Sequence, residues 1–433
     1  MQRCLVNLVD LNPPVNGGTS RIAREVSRVL IDRSRAGGLD LLFVVGWGFA
    51  NHFRSWLGED VWIFPYVFPF DRIRIARAFA PTHIISPLFG LEPFQALKKP
   101  HIASVPDTLP MDHPEMFPNR RLLERRRNAY RYLSRAHTIV TLSHFARQRL
   151  LAHTGLSPEQ VTVITLGADL NVEAVPMVLP EHYVFYPANA WPHKRHQLLL
   201  EAMRAIWERA PTMHLVLTGG QRSALVQQLT DDYRLIMSDP RVLDLGYVTD
   251  GQLQTLYSNA TALLFTSAYE GFGMPLVEAM RNGCPVICAP LTSIPEIAND
   301  AALYVASDDP ADWANALLEQ LPRQRATLIE RGLRNARHYT WQNARQEWHR
   351  VFERAGIGYA GEFTETVPCP PPAEMHSSLS KVAALFERFP VVASRSARLT
   401  YLARHGQALR RAQHAILRML SRKTEANESQ IER

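Results

Sequence analysis

Short runs rich in Val, Ile and Leu alternate with longer amphipathic segments along most of the chain, and this series occurs twice. Such alternation is the pattern of parallel strands joined by helical crossovers. The first series predicts strands at residues 4–8, 41–45, 83–86, 102–105, 138–142 and 161–165, with helices over segments such as 19–32 and 118–134. The second predicts strands at 183–186, 214–217, 242–245, 262–266, 286–288 and 302–305. Between them, residues 171–182 lose periodicity and contain Pro176 and Pro180, as a linker would. The expected class is α/β: two doubly wound, Rossmann-like domains facing a cleft, with ligands at the carboxyl ends of the strands. The layout is an amino-terminal domain over 1–172, a linker over 173–182 and a second domain over 183–340. A closing helix (341–356), a Pro/Gly-rich spacer (357–378) and a basic tail (379–433) follow.

At roughly 150 residues per domain, 433 residues also imply two or three domains. Hydrophobic residues at 46% and charged residues at 21% exclude a disordered or fibrous chain. The most apolar stretch, 61–70, is broken by Pro65 and Pro69 and is too short to span a bilayer. The first ten residues are interrupted too soon to form a secretory segment. Cys4, Cys284, Cys288 and Cys369 form no disulfide framework, so a reducing cytoplasm is expected and Cys284 and Cys288 read as buried thiols.

The formal charge of +7 is unevenly spread: residues 381–423 hold ten basic residues against Glu387 alone, while the first 380 residues balance. A nucleic-acid partner is therefore not expected. Apolar residues Leu399, Leu402, Leu409, Ala412, Ile416 and Leu420 recur at helical steps among these arginines. That pattern suits a helix lying on an anionic membrane surface through residues 379–423, with an oligomerisation helix or a solvated helix as alternatives.

Three segments carry residue types suited to chemistry. In 261–280, a strand runs into Glu270-Gly271-Phe272-Gly273-Met274, and Pro275-Leu276 then opens a helix. Helix starts hold phosphate because free amides and the helix dipole both favour negative charge. Gly271 and Gly273 admit close approach. Glu270, and Glu278 expected in the first helical turn, can each take two hydroxyls, as a sugar or ribose supplies; a turn cap and a solvated helix residue are the alternatives. In 183–198, His193-Lys194-Arg195 opens a second helix with charges suited to an anion, or simply solvated. A third turn, Asn16-Gly17-Gly18-Thr19-Ser20-Arg21, lacks the spacing of a dinucleotide fingerprint or a P-loop.

The element Glu270-Gly-Phe-Gly-Met-Pro-Leu-Val-Glu278, with seven residues between its glutamates, resembles the E-x7-E element of retaining GT-B glycosyltransferases of family 4. The Gly17-Gly18 loop, Ser143, the Gly167-Ala-Asp169 turn, Pro-His-Lys194, Gly246-Tyr-Val and Ser293-Ile-Pro-Glu296 are similar to family landmarks in the same order, across about residues 1–356. The resemblance implies that Glu270 contacts the donor sugar and Glu278 the ribose. It gives the diphosphate to Lys194, with the amides of Phe272, Gly273 and Met274 and the Gly17-Gly18 loop. It sets the backbone of Gly246, Tyr247 and Val248 against the base. His193 and Arg195 stand where the family often has Arg and Asn, and Pro106-Asp107 where many members have His-Asp.

Glu270, Lys194 and Asp107 are thus the expected catalytic group, Asp107 also being a plain turn residue beside Pro106. The Trp-Pro-His-Lys stretch resembles mannosyl-transferring members, which favours GDP-mannose over a UDP-hexose as donor, with a glycan, lipid-linked, as acceptor. No Asp-x-Asp occurs in the sequence, so no metal ligand set is visible and no cofactor is expected. Alternatives on the same scaffold are a sugar-nucleotide epimerase and a nucleotide-sugar-binding protein without transfer.

Overall fold

The computed structural model describes residues 2–11, 17–46, 49–58, 61–66, 71–88, 92–117, 119–168, 172–220 and 231–358. Asp169, Cys369, the spacer beyond residue 358 and the basic tail lie outside the described residues.

The first half is built on a seven-stranded sheet: β1 (Gln2–Leu8), β2 (Leu39–Gly46), β3 (Trp62–Tyr66), β4 (His83–Ser86), β5 (His101–Ser104), β6 (Thr138–Thr141) and β7 (Val161–Val163). Its order is β3-β2-β1-β4-β5-β6-β7, and every pairing is parallel, as in Val6 opposite Phe43 on one side and Ile85 on the other. Successive residues of a strand face opposite sides, and helices cover both faces, so the central strands are buried along most of their length. In β1, Cys4, Val6 and Leu8 pack into one buried cluster and Leu5 into another with Leu42, Val44, Phe64 and Ile84.

The second half repeats the plan in a six-stranded parallel sheet: β8 (Tyr183–Pro187), β9 (His214–Thr218), β10 (Val242–Asp244), β11 (Ala262–Phe265), β12 (Val286–Cys288) and β13 (Ala302–Tyr304). The order is β10-β9-β8-β11-β12-β13. The chain is therefore α/β, with two doubly wound, Rossmann-like units. In each sheet the strand order reverses beside the first strand, between β1 and β4 and between β8 and β11, and loops at those reversals open a ligand crevice.

Two expectations change. The stretch containing Pro65 is a strand, because β3 lies at the sheet edge, where a residue without an amide hydrogen is tolerated. The segment 118–134 is not one helix: Arg120–Asn128 is followed by a turn and the 3-10 turn Leu133–Arg135. Cys284 and Cys288 are buried and unpaired, and burial pushes the Cys284 thiol up to about 12. Among the described residues, no helix is long and apolar enough to cross a membrane.

The helix Trp341–Arg354 returns from the second half to the first and packs on the helix Gly17–Arg35. Arg345 Nε donates to Glu25 at 2.6 Å and Arg33 Nη2 to the Ile357 carbonyl at 2.7 Å. The Gly358 amide reaches the Gln2 side chain at 2.7 Å.

Candidate active site at the cleft

The loops that follow β8 and β11 flank the reversal point of the second sheet, and they bring Lys194 and Glu270 together. Lys194 Nζ lies 2.5 Å from Glu270 Oε1, with 16% and 11% of the two side chains exposed. The loops are fixed locally. The Ala268 amide donates to the His193 carbonyl at 2.8 Å, and Tyr186 Oη and Thr266 Oγ1 both donate to the Lys194 carbonyl. Lys194 also lies 5.8 Å from the centre of the Phe265 ring. The Glu270 amide donates to Thr292 Oγ1 at 3.0 Å, and Ser293 Oγ donates to its carbonyl at 2.9 Å. Glu270 is thus held at both ends of its peptide unit while its carboxylate stays in the crevice.

After Glu270 the chain turns through Gly271, Phe272 and Gly273 into the helix Met274–Arg281. Gly273 caps that helix at φ 91°, and a Cβ there would lie 2.9 Å from Leu276, so only glycine fits without strain. Phe272 is buried edge-on against Tyr339 at 5.6 Å, and Leu276 is buried below. Pro275 occupies the first turn. Glu278 stands in the second turn, not the first, because the helix begins at Met274. Its Oε1 accepts from Arg21 of the other half, and its Oε2 accepts from Tyr257 Oη at 2.8 Å.

The two halves touch at this turn. Gly271 packs so closely on the first half that an added Cβ would lie 2.1 Å from the Pro106 carbonyl oxygen and 2.9 Å from Asp107 Cβ. Ser143 Oγ donates to the Gly271 carbonyl at 2.7 Å while capping the helix His144–Thr154 through the Ala146 amide. Glu296 accepts from the first two amides of that helix, His144 at 2.8 Å and Phe145 at 3.0 Å. Tyr269 donates to Asp112, which Arg149 and His153 also engage. Gly18 faces Met274: a Cβ on Gly18 would lie 3.4 Å from its methyl carbon. The helix Gly17–Arg35 therefore opens directly opposite the helix Met274–Arg281.

Asp107 is half-buried, and its Oδ1 accepts from the Leu109 amide at 3.0 Å. Burial first, and the neighbouring Glu270 second, raise its carboxyl above the ordinary range, against the pull of the Leu109 amide, Arg126 and Lys194. Burial, with Lys194 and His196 beside it, holds His193 well below the usual imidazole value, so it is neutral at physiological pH. Arg195, at φ 52°, pairs with Asp308, so its guanidinium is engaged away from the Lys194–Glu270 pair.

Gly246 has φ 61° and its carbonyl accepts from the Gly219 amide at 2.8 Å. Tyr247 is 53% exposed, and its ring covers Gly220, where a Cβ would lie 2.5 Å from the hydroxyl. Val248 packs on the core. Asn189 Oδ1 accepts from the Gly220 amide at 2.7 Å and closes this corner.

Sequence reasoning gave no role to Arg21, Asp112, Tyr257, Tyr269 or Gly219-Gly220. The glycine pair directly after a β-branched run was a usable signal. A separate cavity of about 640 Å³ is lined by Lys99, Arg135, His137, Thr162 and Arg354 at the beginnings of β5 to β7. It lies at the opposite end of the first sheet from the crevice, where strand carboxyl ends do not converge.

Comparison with known proteins agrees with this geometry. Residues 181–322 match the family described as glycosyl transferases group 1. O-antigen chain mannosyltransferase B of Escherichia coli is 28% identical over 246 residues, which cover 53% of this chain and 64% of that protein. O-antigen chain mannosyltransferase RfbU of Salmonella typhimurium is 28% identical over 192 residues, 44% of this chain and 53% of that protein. The matched part thus spans less than two thirds of either relative. Among solved structures, HepE of Anabaena in complex with UDP-glucose superimposes with a TM-score of 0.62 at 18% identity, covering 82% of this chain and 100% of that one. Sucrose-phosphate synthase of Thermosynechococcus elongatus gives 0.61 at 17% identity, covering 82% and 99%. The chain has the GT-B fold, mannosyltransferases are among the proteins it is similar to, and its residues 181–322 match the glycosyl transferases group 1 family.

Proposed function

We propose that the chain is a retaining, metal-independent hexosyltransferase of the family 4 type. It moves mannose from GDP-mannose, or another hexose from its nucleoside diphosphate, to a lipid-linked glycan during surface polysaccharide assembly, at the cytoplasmic face of a membrane. The O-antigen mannosyltransferases support the sugar and the polysaccharide, and the UDP-glucose held by HepE supports the class of donor.

The observation that carries this reading is the Lys194–Glu270 pair at the strand-order reversal, 2.5 Å apart beside a glycine-flanked helix start. Breaking the bond between the anomeric carbon and a nucleoside diphosphate builds negative charge on the leaving group. A lysine and a helix amino terminus in place beforehand stabilise that charge without rearranging. Glu270 suits sugar hydroxyls, Glu278 the ribose diol, and the exposed Tyr247 corner the base. Asp107, brought against Gly271 from the other half, borders the same crevice on the acceptor side.

Incubation with labelled GDP-mannose and UDP-glucose, with and without a lipid-linked glycan, tests the reading. The expected product is an α-linked glycan formed only with acceptor, unaffected by EDTA and lost in Glu270→Gln. An isomeric sugar nucleotide formed without acceptor would make the protein an epimerase. Donor binding with no transfer to any acceptor, unchanged by Glu270→Gln, would make it a binding protein.

A further inference from the structure

Glu278 is held from both halves at once. Arg21, near the start of the helix Gly17–Arg35, donates through Nη1 to Glu278 Oε1 and through Nη2 to Asp250 Oδ1. Its Nη1 also lies 3.8 Å from the Met274 sulfur, at the first residue of the helix that carries Glu278. Tyr257 Oη donates to Glu278 Oε2 at 2.8 Å from within the second half. Glu278 is 4% exposed and Tyr257 fully buried, so the carboxylate sits in a fixed frame. Burial opposes the Arg21 charge, but Glu278 and Asp250 more than offset it, and the guanidinium stays ionised.

A carboxylate has about four lone-pair sites, of which Arg21 and Tyr257 use one on each oxygen. One site per oxygen is left, the number that the two hydroxyls of a vicinal diol would use. The planar guanidinium can bridge two carboxylates at a fixed angle, as an ammonium cannot. Because Arg21 belongs to the first half while Glu278 and Asp250 belong to the second, that geometry exists only while the halves are closed on each other.

We propose that Arg21 is a positioning residue for the nucleotide: by gripping Glu278 across the cleft it presents that carboxylate to the ribose diol and makes ribose recognition depend on closure. The inference rests on the reading of Glu278 as the ribose ligand. It also gives the GT-B arrangement here an inter-domain contact at the nucleoside end of the donor.

Calorimetric titration of the full chain with GDP and UDP, each beside its 2′,3′-dideoxy form, tests it. Wild type is expected to prefer the ribose form by about tenfold or more, as two hydrogen bonds to a carboxylate would give. Arg21→Met should lose most of that preference while binding the dideoxy form nearly as wild type does, and Arg21→Lys should fall between. Equal weakening of ribose and dideoxy forms in Arg21→Met would overturn the proposal, leaving Arg21 as a strut between the halves. A wild type that does not distinguish the two forms would instead overturn the ribose role of Glu278, and the proposal with it. Should Arg21→Met lose its thermal transition, Arg21→Gln carries the same comparison.

Discussion

Ser143 Oγ and the Gly271 carbonyl oxygen are 2.7 Å apart, and that bond joins the helix cap of one half to the glycine turn of the other. The same oxygen accepts the Ala146 amide at 3.1 Å, so one hydroxyl serves both a helix start and the interface. Ser143→Ala removes both bonds in a buried place and should destabilise the protein by about 1 to 2 kcal/mol. Urea titration followed by fluorescence measures it; Ser143→Thr should lose less.

Gly271→Ala should hold the cleft open. The new Cβ would fall 2.1 Å from the Pro106 carbonyl oxygen, a distance no rotamer can relieve. Sugar transfer should drop about 100-fold or more, since misplacing reacting groups by an ångström costs that much. Small-angle scattering should show a larger radius of gyration, with nucleotide still bound by the second half.

Asp107 gives a pH signature of known sign. Its carboxyl is raised in the folded state, chiefly by burial, so ionisation costs the fold. That cost is absent below the ordinary carboxylate value of about 3.9 and sets in as pH rises towards the folded value. Asp107→Asn keeps an acceptor for the Leu109 amide without the charge. The variant should therefore match wild type in acid and exceed it in thermal stability at neutral pH. Equal stability differences at all pH values would refute the assignment.

Lys194→Met should blunt the response to the donor more than it alters the unliganded protein's transition shape. A ligand at about 100 times its Kd stabilises by about 2.7 kcal/mol, and tenfold weaker binding reduces that to about 1.4 kcal/mol. Differential scanning fluorimetry with a nucleoside diphospho-sugar, each protein compared with its own unliganded midpoint, reads the difference.

The sheets were largely readable because burial on both faces writes itself as β-branched runs: the ranges 83–86 and 286–288 coincide with β4 and β12, and other predicted strands shift by a residue or two at their ends. β3 was hidden by Pro65, whose meaning depends on whether the strand has a neighbour on both sides, and sequence order does not say. The glycine turn after Glu270 was readable from local spacing, whereas Glu278 sits one turn further into the helix than that spacing implied. Arg195 was not, because its partner Asp308 lies 113 residues away. The same holds for Tyr269 and Asp112, 157 residues apart, whose meeting depends on how the two halves face each other.

The return of the helix Trp341–Arg354 makes the outer layer of the first unit depend on residues that follow the second unit in the chain. Trp348, Val351 and Phe352 are buried in the cluster that also holds Ile22, Val26 and Val29. Cleavage in the 173–182 connector should therefore leave two polypeptides that co-elute, since the downstream fragment carries a piece of the upstream unit's wall. Separately expressed fragments should recover the whole by complementation, whereas a chain stopped at residue 340 should expose an apolar stripe and aggregate.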